Sequence, residues 1–384
     1  MNFKKSSDLL LIAAYLFFLF INTSLATSIE QIKNWYDSEK FMSQQINQVN
    51  EAHDIIKNNI LEFRLELLNK YILPKSIVSI NEIDEIGVKS DFGAKYLIPT
   101  PAEDFRLFKA NYYGINHYAV LERSGKSSED FKKLIICNCA GHGGLVYSFF
   151  GSGNMYELKN QSLNNGYDFL NIQMTGRGIN TGNAEFPVRH SKNDNHFLSS
   201  FTEEMAFHHH IYSNFYDSNF SKKKPLSLMV TANYEFVNYL KEKFKYDEII
   251  FVGLSGGGWE GVVLSALNTN INKTYSFAGS LPKAFMNSSA NRGDWEQHAS
   301  SIITEYDYWD LYILGLYDEN GRQTRLSQHI YNSNDNCCYF DPHATAFKKI
   351  VDKSNLQGLQ AYVYEGADNH EINLKYLFEN LSFE

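Results

Sequence analysis

A serine stands between glycines in Gly253-Leu254-Ser255-Gly256-Gly257, after an apolar run and before an apolar helical pattern. Glycine costs a helix roughly 1 kcal/mol per position relative to alanine, so glycines at a helix start need a separate reason. A G-x-S-x-G turn between strand and helix holds its serine in a strained conformation where neighbouring backbone approaches closely. The pattern predicts Ser255 as a nucleophile and the Gly256 N–H as an oxyanion donor. The alternative is a turn that only packs a helix close to a sheet.

The elements around this turn alternate between strands and helices. From about Tyr96 onward, "INHYAVLERS", "KKLIICN", "EIIFVG", "KTYSFAG", "LSQHIYN" and "LQAYVYEG" read as strands, with helical patterns between most of them. Such alternation predicts an α/β protein with a mostly parallel sheet and helices on both faces. Active groups in sheets of this kind gather at the carboxyl ends of the strands.

Four short motifs carry a family resemblance. "GHGG" follows one strand, "GRG" the next and "GLSGGG" the third, and "ADNH" lies near the end. With these motifs, the chain from about Tyr96 to its C-terminus resembles the α/β-hydrolase superfamily. It is more closely similar to poorly characterised secreted serine hydrolases that share "GLSGGGW", "AGSLP", "GDWEQ" and a pair of adjacent cysteines. The resemblance implies the α/β-hydrolase fold and a catalytic triad in the order serine, acid, histidine, but no particular substrate.

His370 is the histidine that this order implies, because it lies in the loop after the last predicted strand. A histidine there accepts the serine proton during attack and returns it to the leaving group. The alternative is an ordinary surface histidine. His343 competes for the role, but "FDPHATAF" reads as the start of a helix.

Two aspartates compete for the role of the acid. "SQHIYNSND" ends in Asp335 and "LYILGLYD" ends in Asp318, and we interpret each as a strand followed by a turn. Asp335 precedes His370 by 35 positions, which accommodates one helix and one strand. Asp318 precedes it by 52 positions, and this longer interval would contain an additional strand that the fold does not account for. Connections in α/β units are short, so the spacing favours Asp335.

The resemblance also implies a second oxyanion donor in Gly141-His142-Gly143-Gly144, which is similar to the HGG-type loops of esterases and lipases. We assign the donor to Gly143. The "GDWEQ" segment lines the substrate pocket in one interpretation, with Trp295 as an apolar wall, and is a plain surface loop in the other.

The first residues read as a secretion signal. Lys4 and Lys5 precede the apolar stretch from Leu9 to Ile21, and Ser24-Leu25-Ala26 offers a small-x-small cleavage site. An uncleaved anchor is the alternative, but the apolar run is shorter than the ~20 residues of a spanning helix, and no second segment of spanning length follows. We expect a signal peptide over 1–26, cleavage near Thr27, and a secreted or periplasmic mature chain.

Residues 27–95 are expected to form a helical segment that precedes a hydrolase domain over 96–384. Apolar and aromatic residues recur there at helical spacing and end before Pro74. The stripe comprises Ile46, Val49, His53, Ile56, Ile60, Phe63 and Leu67. We expect this helix to pack on the main domain; a substrate lid and a dimer seam are the alternatives.

Charge and cysteine usage narrow the function classes further. The net charge is −9 and no dense Lys/Arg stripe offsets it, which argues against a nucleic-acid partner. Four cysteines, Cys137, Cys139, Cys337 and Cys338, suit an oxidising compartment but allow three disulfide connectivities. No histidine lies at zinc-ligand spacing from them, and no dinucleotide or P-loop motif is present, so we expect neither a metal nor a cofactor.

The sequence thus predicts a secreted serine hydrolase that cleaves small carboxylic esters through an acyl-enzyme on Ser255, with His370 and Asp335 as its partners. This choice rests on analogy at the level of the fold. A secreted serine peptidase of the same fold and a non-catalytic binding protein on a hydrolase scaffold are the alternatives. Substrate identity and oligomeric state are open.

Overall fold

The computed structural model describes most of the chain from the helical segment to the C-terminus. The described residues are 30–83, 87–89, 95–97, 105–112, 115–126, 130–139, 154–175, 226–286, 293, 297, 301–366, 369–381 and 383. The signal-peptide prediction, the "GHGG" loop with Gly143, and Trp295 lie outside these residues. Within the described part, no helix is both long and apolar enough to cross a bilayer.

A nine-stranded sheet forms the centre of the protein, and a separate hairpin pairs β2 with β3. The strand order of the large sheet is β1-β4-β5-β7-β6-β8-β9-β10-β11. The six strands from β7 to β11 in this order are mutually parallel, whereas β5 runs antiparallel to both of its neighbours and β1 runs antiparallel to β4. The strands are β1 (Ser79–Ile83), β2 (Gly87–Lys89), β3 (Lys95–Leu97), β4 (Phe105–Tyr112), β5 (Ile115–Glu122), β6 (Lys133–Asn138), β7 (Tyr167–Asn171), β8 (Glu248–Leu254), β9 (Lys273–Phe277), β10 (Leu326–Asn332) and β11 (Leu359–Tyr364).

Helices cover both faces of this sheet, as the alternating pattern predicts. The described helices include α1 (Glu39–Tyr71), α2 (Asn154–Asn164), α3 (Leu226–Phe244), α4 (Gly256–Leu267), α5 (Ser301–Glu305), α6 (Tyr308–Leu314), α7 (His343–Ser354) and α8 (Leu374–Leu381), and residues 30–36 are helical as well. Short 3-10 turns occupy Lys75–Ile77 and Lys283–Phe285. The mostly parallel α/β architecture is therefore confirmed.

Strand β8 shows why the sheet is covered on both sides. Its side chains alternate between two hydrophobic clusters, because successive residues of a strand point to opposite faces. Ile249 and Phe251 join the larger cluster with α1, α3, α4, α6 and α7, and Ile250 and Val252 join the smaller one with α2 and α8. A strand buried on both faces reads as a continuous apolar run, which is the pattern that precedes Ser255.

Helix α1 packs along the outside of the larger cluster, with α6 and α7 among its neighbours. Val49, Ile56, Ile60 and Leu67 of the predicted stripe are buried, and the other three stripe residues are partly buried. The helix kinks at Asn59, whose backbone is non-helical. The packing is that of a helix fixed on the main domain, as expected from its apolar stripe.

Arg64 ties α1 to the sheet-covering helices. It is 5% exposed, and its guanidinium donates to the carbonyl oxygens of Ala266, Leu314, Tyr317 and Asp318 at 2.8 to 3.1 Å. Burial lowers the pKa of Arg64 to about 10, and the nearby Asp318 partly offsets this effect. Because backbone carbonyls satisfy the buried charge, the helix is anchored by polar contacts as well as by its apolar face.

The predicted boundary at residue 95 is not a boundary of the sheet. Strand β1 comes from the predicted helical segment over 27–95, yet it pairs with β4 along the edge of the main sheet. Strand β4 precedes the first strand that we inferred from "INHYAVLERS", and it pairs with that strand over its whole length. The division into 27–95 and 96–384 remains a prediction from the sequence pattern.

Candidate active site

The turn between β8 and α4 has the geometry that the glycine pattern requires. Ser255 has φ 57° and ψ −125°, a conformation that a residue with a side chain rarely adopts. A Cβ on Gly253 would lie 2.2 Å from the carbonyl oxygen of Gly257, and one on Gly257 would lie 1.8 Å from the carbonyl oxygen of Asn138. Both contacts are with backbone, so only glycine fits at these two positions.

Hydrogen bonds on both sides of Ser255 hold it in this conformation. Its N–H donates to the carbonyl oxygen of Phe277 at 2.8 Å, and its carbonyl oxygen accepts from the N–H of Trp259 at 2.9 Å. Gly256 is the first residue of α4, where backbone N–H groups have no partner within the helix. This placement suits an oxyanion donor, although the role of Gly256 stays a prediction, as does that of Gly143.

His370 and Asp335 form a hydrogen-bonded pair. The Nδ1 atom of His370 lies 2.8 Å from Oδ2 and 3.1 Å from Oδ1 of Asp335, whose side chain is 1% exposed. An ionised carboxylate only accepts hydrogen bonds, so this contact favours the proton on Nδ1, and in the neutral imidazole the lone pair is then on Nε2. This tautomer is the one that accepts a proton from a serine hydroxyl.

The backbone around Asp335 orients its carboxylate. Oδ1 accepts hydrogen bonds from the N–H groups of Cys337 at 2.7 Å and Cys338 at 3.1 Å. The side-chain amide of Asn332, the last residue of β10, donates to the carbonyl oxygen of Asn369 at 2.6 Å, which joins the end of β10 to the loop after β11. The acid and the histidine are therefore held in register by contacts on either side of the pair.

All three predicted triad residues follow carboxyl ends of parallel strands. Ser255 comes directly after β8, Asp335 shortly after β10 and His370 shortly after β11. These strands are neighbours in the order β8-β9-β10-β11, so their carboxyl ends meet along one edge of the sheet. The structure brings the acid and the histidine into contact and places the serine at the same edge, while their catalytic roles remain predictions.

Asp318, the competing acid, has other partners. Its Oδ1 accepts from the N–H groups of Asn320 at 2.9 Å and Arg322 at 2.8 Å, and its Oδ2 accepts from Nε of Arg322 at 2.9 Å. Although burial raises the pKa of Asp318, the hydrogen bonds from Arg322 and Asn320 hold it below its ordinary value. Asp318 thus stabilises a local turn.

The strand that we inferred from "LYILGLYD" is wrong, because this segment forms most of helix α6. A short apolar run does not distinguish a buried strand from a buried helix. The helix begins at a capping box. In it, the side chain of Asp307 accepts from the backbone N–H of Asp310, and the side chain of Asp310 accepts from the backbone N–H of Asp307. The aspartate three residues after the helix cap was the sequence signal for this outcome.

His343 is the first residue of α7, as its sequence context indicates, and it is 3% exposed. Burial lowers its pKa to about 4, with smaller opposing effects from the Phe340 backbone and Asp341. A neutral histidine among aromatic rings serves packing.

A buried carboxylate beneath the serine turn was not anticipated from the sequence. Glu260 of α4 is 1% exposed and accepts hydrogen bonds from the amides of Asn138 at 2.5 Å and Asn233 at 2.8 Å. Asn138 ends β6, and its carbonyl lies against Gly257. A glutamate within the apolar helix "GGGWEGVVLSAL" was the available signal, since buried charges need specific partners.

The cysteines form two local pairs. Cys137 is bonded to Cys139 at the end of β6, and Cys337 is bonded to Cys338 in the loop after β10. These two disulfides select one of the three connectivities that the sequence allows. The second pair follows Asp335 directly, and its backbone N–H groups are the ones that bind that carboxylate.

Comparison with known proteins gave structural neighbours only. No protein-family model matches the chain, and no curated protein matches it. Solved structures that are similar to it include acetyl xylan esterase 1 from Thermoanaerobacterium sp. JW/SL YS485, with 12% identity, a TM-score of 0.46, and coverage of 85% of this chain and 92% of that chain. A glucuronoyl esterase from Caldicellulosiruptor kristjansonii has 12% identity and a TM-score of 0.45, over 84% of this chain and 83% of that chain. An S-formylglutathione hydrolase from Agrobacterium tumefaciens has 12% identity and a TM-score of 0.44, over 78% of this chain and 97% of that chain.

The class assignment rests on the strand order and the serine turn. A mostly parallel sheet in which β7 lies between β5 and β6, followed by a serine at positive φ between β8 and α4, is the α/β-hydrolase fold.

Proposed function

We propose that this protein hydrolyses carboxylic esters of small molecules through an acyl-enzyme on Ser255. One observation carries the proposal. Ser255 is held at φ 57° on the sheet edge where the His370–Asp335 pair, with a 2.8 Å contact, also lies. Backbone strain is typical of residues in active sites, and an imidazole that a carboxylate orients is the usual base that activates a serine nucleophile.

In the first half of this reaction, Oγ of Ser255 attacks the ester carbonyl and Nε2 of His370 takes its proton. The negative charge that develops on the carbonyl oxygen is stabilised by the N–H of Gly256 and by a second N–H that we assign to Gly143. The intermediate collapses, and His370 returns the proton to the departing alcohol. Asp335 stabilises the imidazolium that exists between these steps.

In the second half, water replaces the serine as the nucleophile. His370 takes a proton from the water, which attacks the acyl carbon, and then returns the proton to Oγ of Ser255. The free acid is released and the enzyme is restored. The cycle uses only groups of the chain and water.

The replacement Ser255→Ala tests this assignment. Wild type should react with a fluorophosphonate probe and turn over p-nitrophenyl acetate, while Ser255→Ala should do neither, with turnover lower by about 10,000-fold or more. Ser265→Ala is the matched control, because this serine is buried in the same helix and its hydroxyl donates to the carbonyl oxygen of Val262, one turn away, at 3.0 Å.

Both variants should unfold at the temperature of the wild type to within a few degrees, which shows that the fold persists. Retention of a tenth of wild-type turnover by Ser255→Ala would exclude this serine as the nucleophile. A folded wild type that the probe does not label would support a binding protein on a hydrolase scaffold. Labelling with turnover of peptides and not esters would support a peptidase.

We further propose that the protein is secreted or periplasmic after cleavage near Thr27. The support is the charged start, the apolar core and the small-x-small site of residues 1–26. N-terminal sequencing of the chain recovered outside the cytoplasm should give a start within a few residues of Thr27. A chain that starts at Met1 and sediments with membranes would contradict this proposal.

A further inference from the structure

Three side chains that can bind a metal ion lie close together, and one of them is the proposed base, His370. The Sγ atoms of Cys337 and Cys338 and a ring nitrogen of His370 lie within 4.8 Å of one another. Cys337 is exposed and His370 is partly exposed, so small solutes can reach the group from these two side chains. His370 is far from the cysteines in the sequence, which is why the spacing rules for zinc sites do not detect it.

The oxidation state of the cysteines decides whether this group offers ligands. In the structure, the two sulfurs share a disulfide bond, and a disulfide sulfur is a poor ligand. A thiol or phosphine reductant breaks this bond, and each cysteine sulfur gains one electron and one proton. Two thiols supply both and become a disulfide, whereas a phosphine supplies the two electrons and water supplies the two protons and the oxygen of the phosphine oxide. Two thiols then lie next to an imidazole.

Two thiolates and one imidazole form a soft donor set. Zinc binds cysteine sulfur at about 2.3 Å and histidine nitrogen at about 2.0–2.1 Å in tetrahedral sites, and thiolates select thiophilic ions. Ligand atoms around such an ion are separated by roughly 3.5–4 Å, as these bond lengths require. Reduction lets the two bonded sulfurs move apart to such a separation, and the ring nitrogen of His370 already lies within 4.8 Å of both.

We propose that reduced Cys337 and Cys338, together with His370, bind a thiophilic divalent cation such as Zn²⁺ or Cd²⁺. Binding replaces one proton on each thiol by a bond to the ion and leaves the fourth position to water. The site is a redox-controlled cation site, because it exists only when the disulfide is open.

Occupation of this site stops the proposed catalysis, and this second consequence rests on the function proposed above. If the ion takes Nε2 of His370, the serine proton has no acceptor. If it takes Nδ1, the ion displaces the 2.8 Å hydrogen bond to Asp335. Either coordination removes the imidazole from the acyl-transfer reaction, so inhibition does not depend on which nitrogen binds.

The other cysteine pair supplies a matched control. Cys137 and Cys139 are 0% and 3% exposed, and within the described part of the chain they belong to no comparable group of metal-binding side chains. The double variant Cys137→Ser/Cys139→Ser keeps the proposed site, whereas Cys337→Ser/Cys338→Ser removes its thiolates.

The experiment measures cation binding directly, without reference to activity. Full-length mature protein is reduced with a phosphine, freed of the reductant under anaerobic conditions, and titrated with Cd²⁺. We expect the ultraviolet charge-transfer absorption of Cd–thiolate bonds to appear and to saturate at one Cd²⁺ ion per protein chain. This signal should be absent from the unreduced protein and from Cys337→Ser/Cys338→Ser, and present in Cys137→Ser/Cys139→Ser.

His370→Ala tests the third ligand. Groups that only support metal ligands are worth roughly 10- to 100-fold in affinity, so loss of a direct ligand should weaken Cd²⁺ binding by at least about 10-fold. Absence of Cd²⁺ binding to the reduced protein, or binding that survives Cys337→Ser/Cys338→Ser unchanged, would overturn the inference. Affinity that His370→Ala leaves unchanged would overturn it as well, because a dithiol alone would then account for the binding.

Activity is then measured on the same samples. Ester turnover of reduced protein should fall in proportion to the Cd²⁺ that is bound and should return on chelation, if the proposed function holds. Binding of Cd²⁺ by a protein that the fluorophosphonate probe never labels would support the cation site and contradict the proposed function. Full activity at saturating Cd²⁺ would contradict the inhibitory half of the inference.

Discussion

At the scale of the residue, Asp335 and Asp318 have the same side chain and different electrostatic environments. Asp335 is almost fully buried and accepts from two backbone N–H groups and from the imidazole of His370. Asp318 accepts from backbone N–H groups and from the guanidinium of Arg322, whose side chain is 67% exposed. Only the first arrangement fixes the tautomer of a histidine, so the acid of the proposed triad is Asp335.

The variants Asp335→Asn and Asp318→Asn separate these roles. An amide at 335 no longer accepts from Nδ1 through both oxygens and favours the wrong histidine tautomer, so ester turnover should fall by about 10,000-fold. An amide at 318 weakens a local turn and should leave turnover nearly unchanged, with a loss of about 1 kcal/mol in the free energy of unfolding. Steady-state turnover of one small ester across pH, with denaturant unfolding of both variants, measures the difference. A severe loss in Asp318→Asn with near-normal Asp335→Asn would reverse the assignment.

At the scale of the element, the serine turn depends on three pieces of backbone in close contact. Strand β8 delivers Ser255, α4 leads away from it, and the end of β6 lies against the first turn of the helix through Asn138. Glu260 reinforces this junction, since its carboxylate accepts from the side-chain amide of the same asparagine. The geometry at Ser255 therefore follows from the packing of a helix on two neighbouring strands.

Replacement of Gly257 by alanine should disrupt this junction. Its Cβ would lie 1.8 Å from the carbonyl oxygen of Asn138, so the backbone of one of the two segments must shift. We expect a loss of about 3 kcal/mol or more in the free energy of unfolding, the upper range for overpacking, together with a large fall in ester turnover. Denaturant unfolding and turnover are the measurements.

Gly125→Ala is the matched control, because nothing lies within 4 Å of a Cβ at that position. This variant should unfold within about 0.5 kcal/mol of wild type and keep full turnover. Equal stability of Gly257→Ala and Gly125→Ala would show that the turn is less tightly packed than the structure indicates.

At the scale of the whole molecule, several histidines are buried in the neutral form. Burial lowers the pKa of His117 and of His329 to about 3, and that of His343 to about 4. In the unfolded chain their pKa is about 6.5. Between these values the unfolded chain binds protons that the folded chain does not, so the free energy of unfolding falls as the pH drops below about 6.5.

The pH dependence of unfolding tests this effect. At pH 5 each buried histidine should have reduced the free energy of unfolding by about 2 kcal/mol relative to pH 7 and above. His329→Gln removes one such group from a site that is lined by Ser327 and by the rings of Tyr312 and Phe347. Whatever its stability at pH 7, this variant should lose about 2 kcal/mol less than wild type between pH 7 and pH 5. A pH profile parallel to that of wild type would show that His329 is protonated in the folded protein.

Features that depend on neighbours along the chain could be predicted from the amino-acid sequence. The serine turn is local, since the apolar run of β8, the glycines and the helix α4 are contiguous, and their order alone predicts the strained serine. The alternation of strands and helices is local in the same sense and predicts the α/β class. The strand misassigned at "LYILGLYD" shows the limit of prediction from local pattern, because a short apolar run is compatible with both a buried strand and a buried helix.

Contacts between distant segments could be identified only in the three-dimensional fold. Asp335 and His370 are 35 residues apart and meet because β10 and β11 pair in parallel, so that their following loops face each other. The same pairing brings Cys337 and Cys338 to His370, and the neighbouring positions of β6 and β8 bring Asn138 to Glu260. Strand order depends on how the whole set of apolar faces is buried together, and no single stretch of the sequence contains that information.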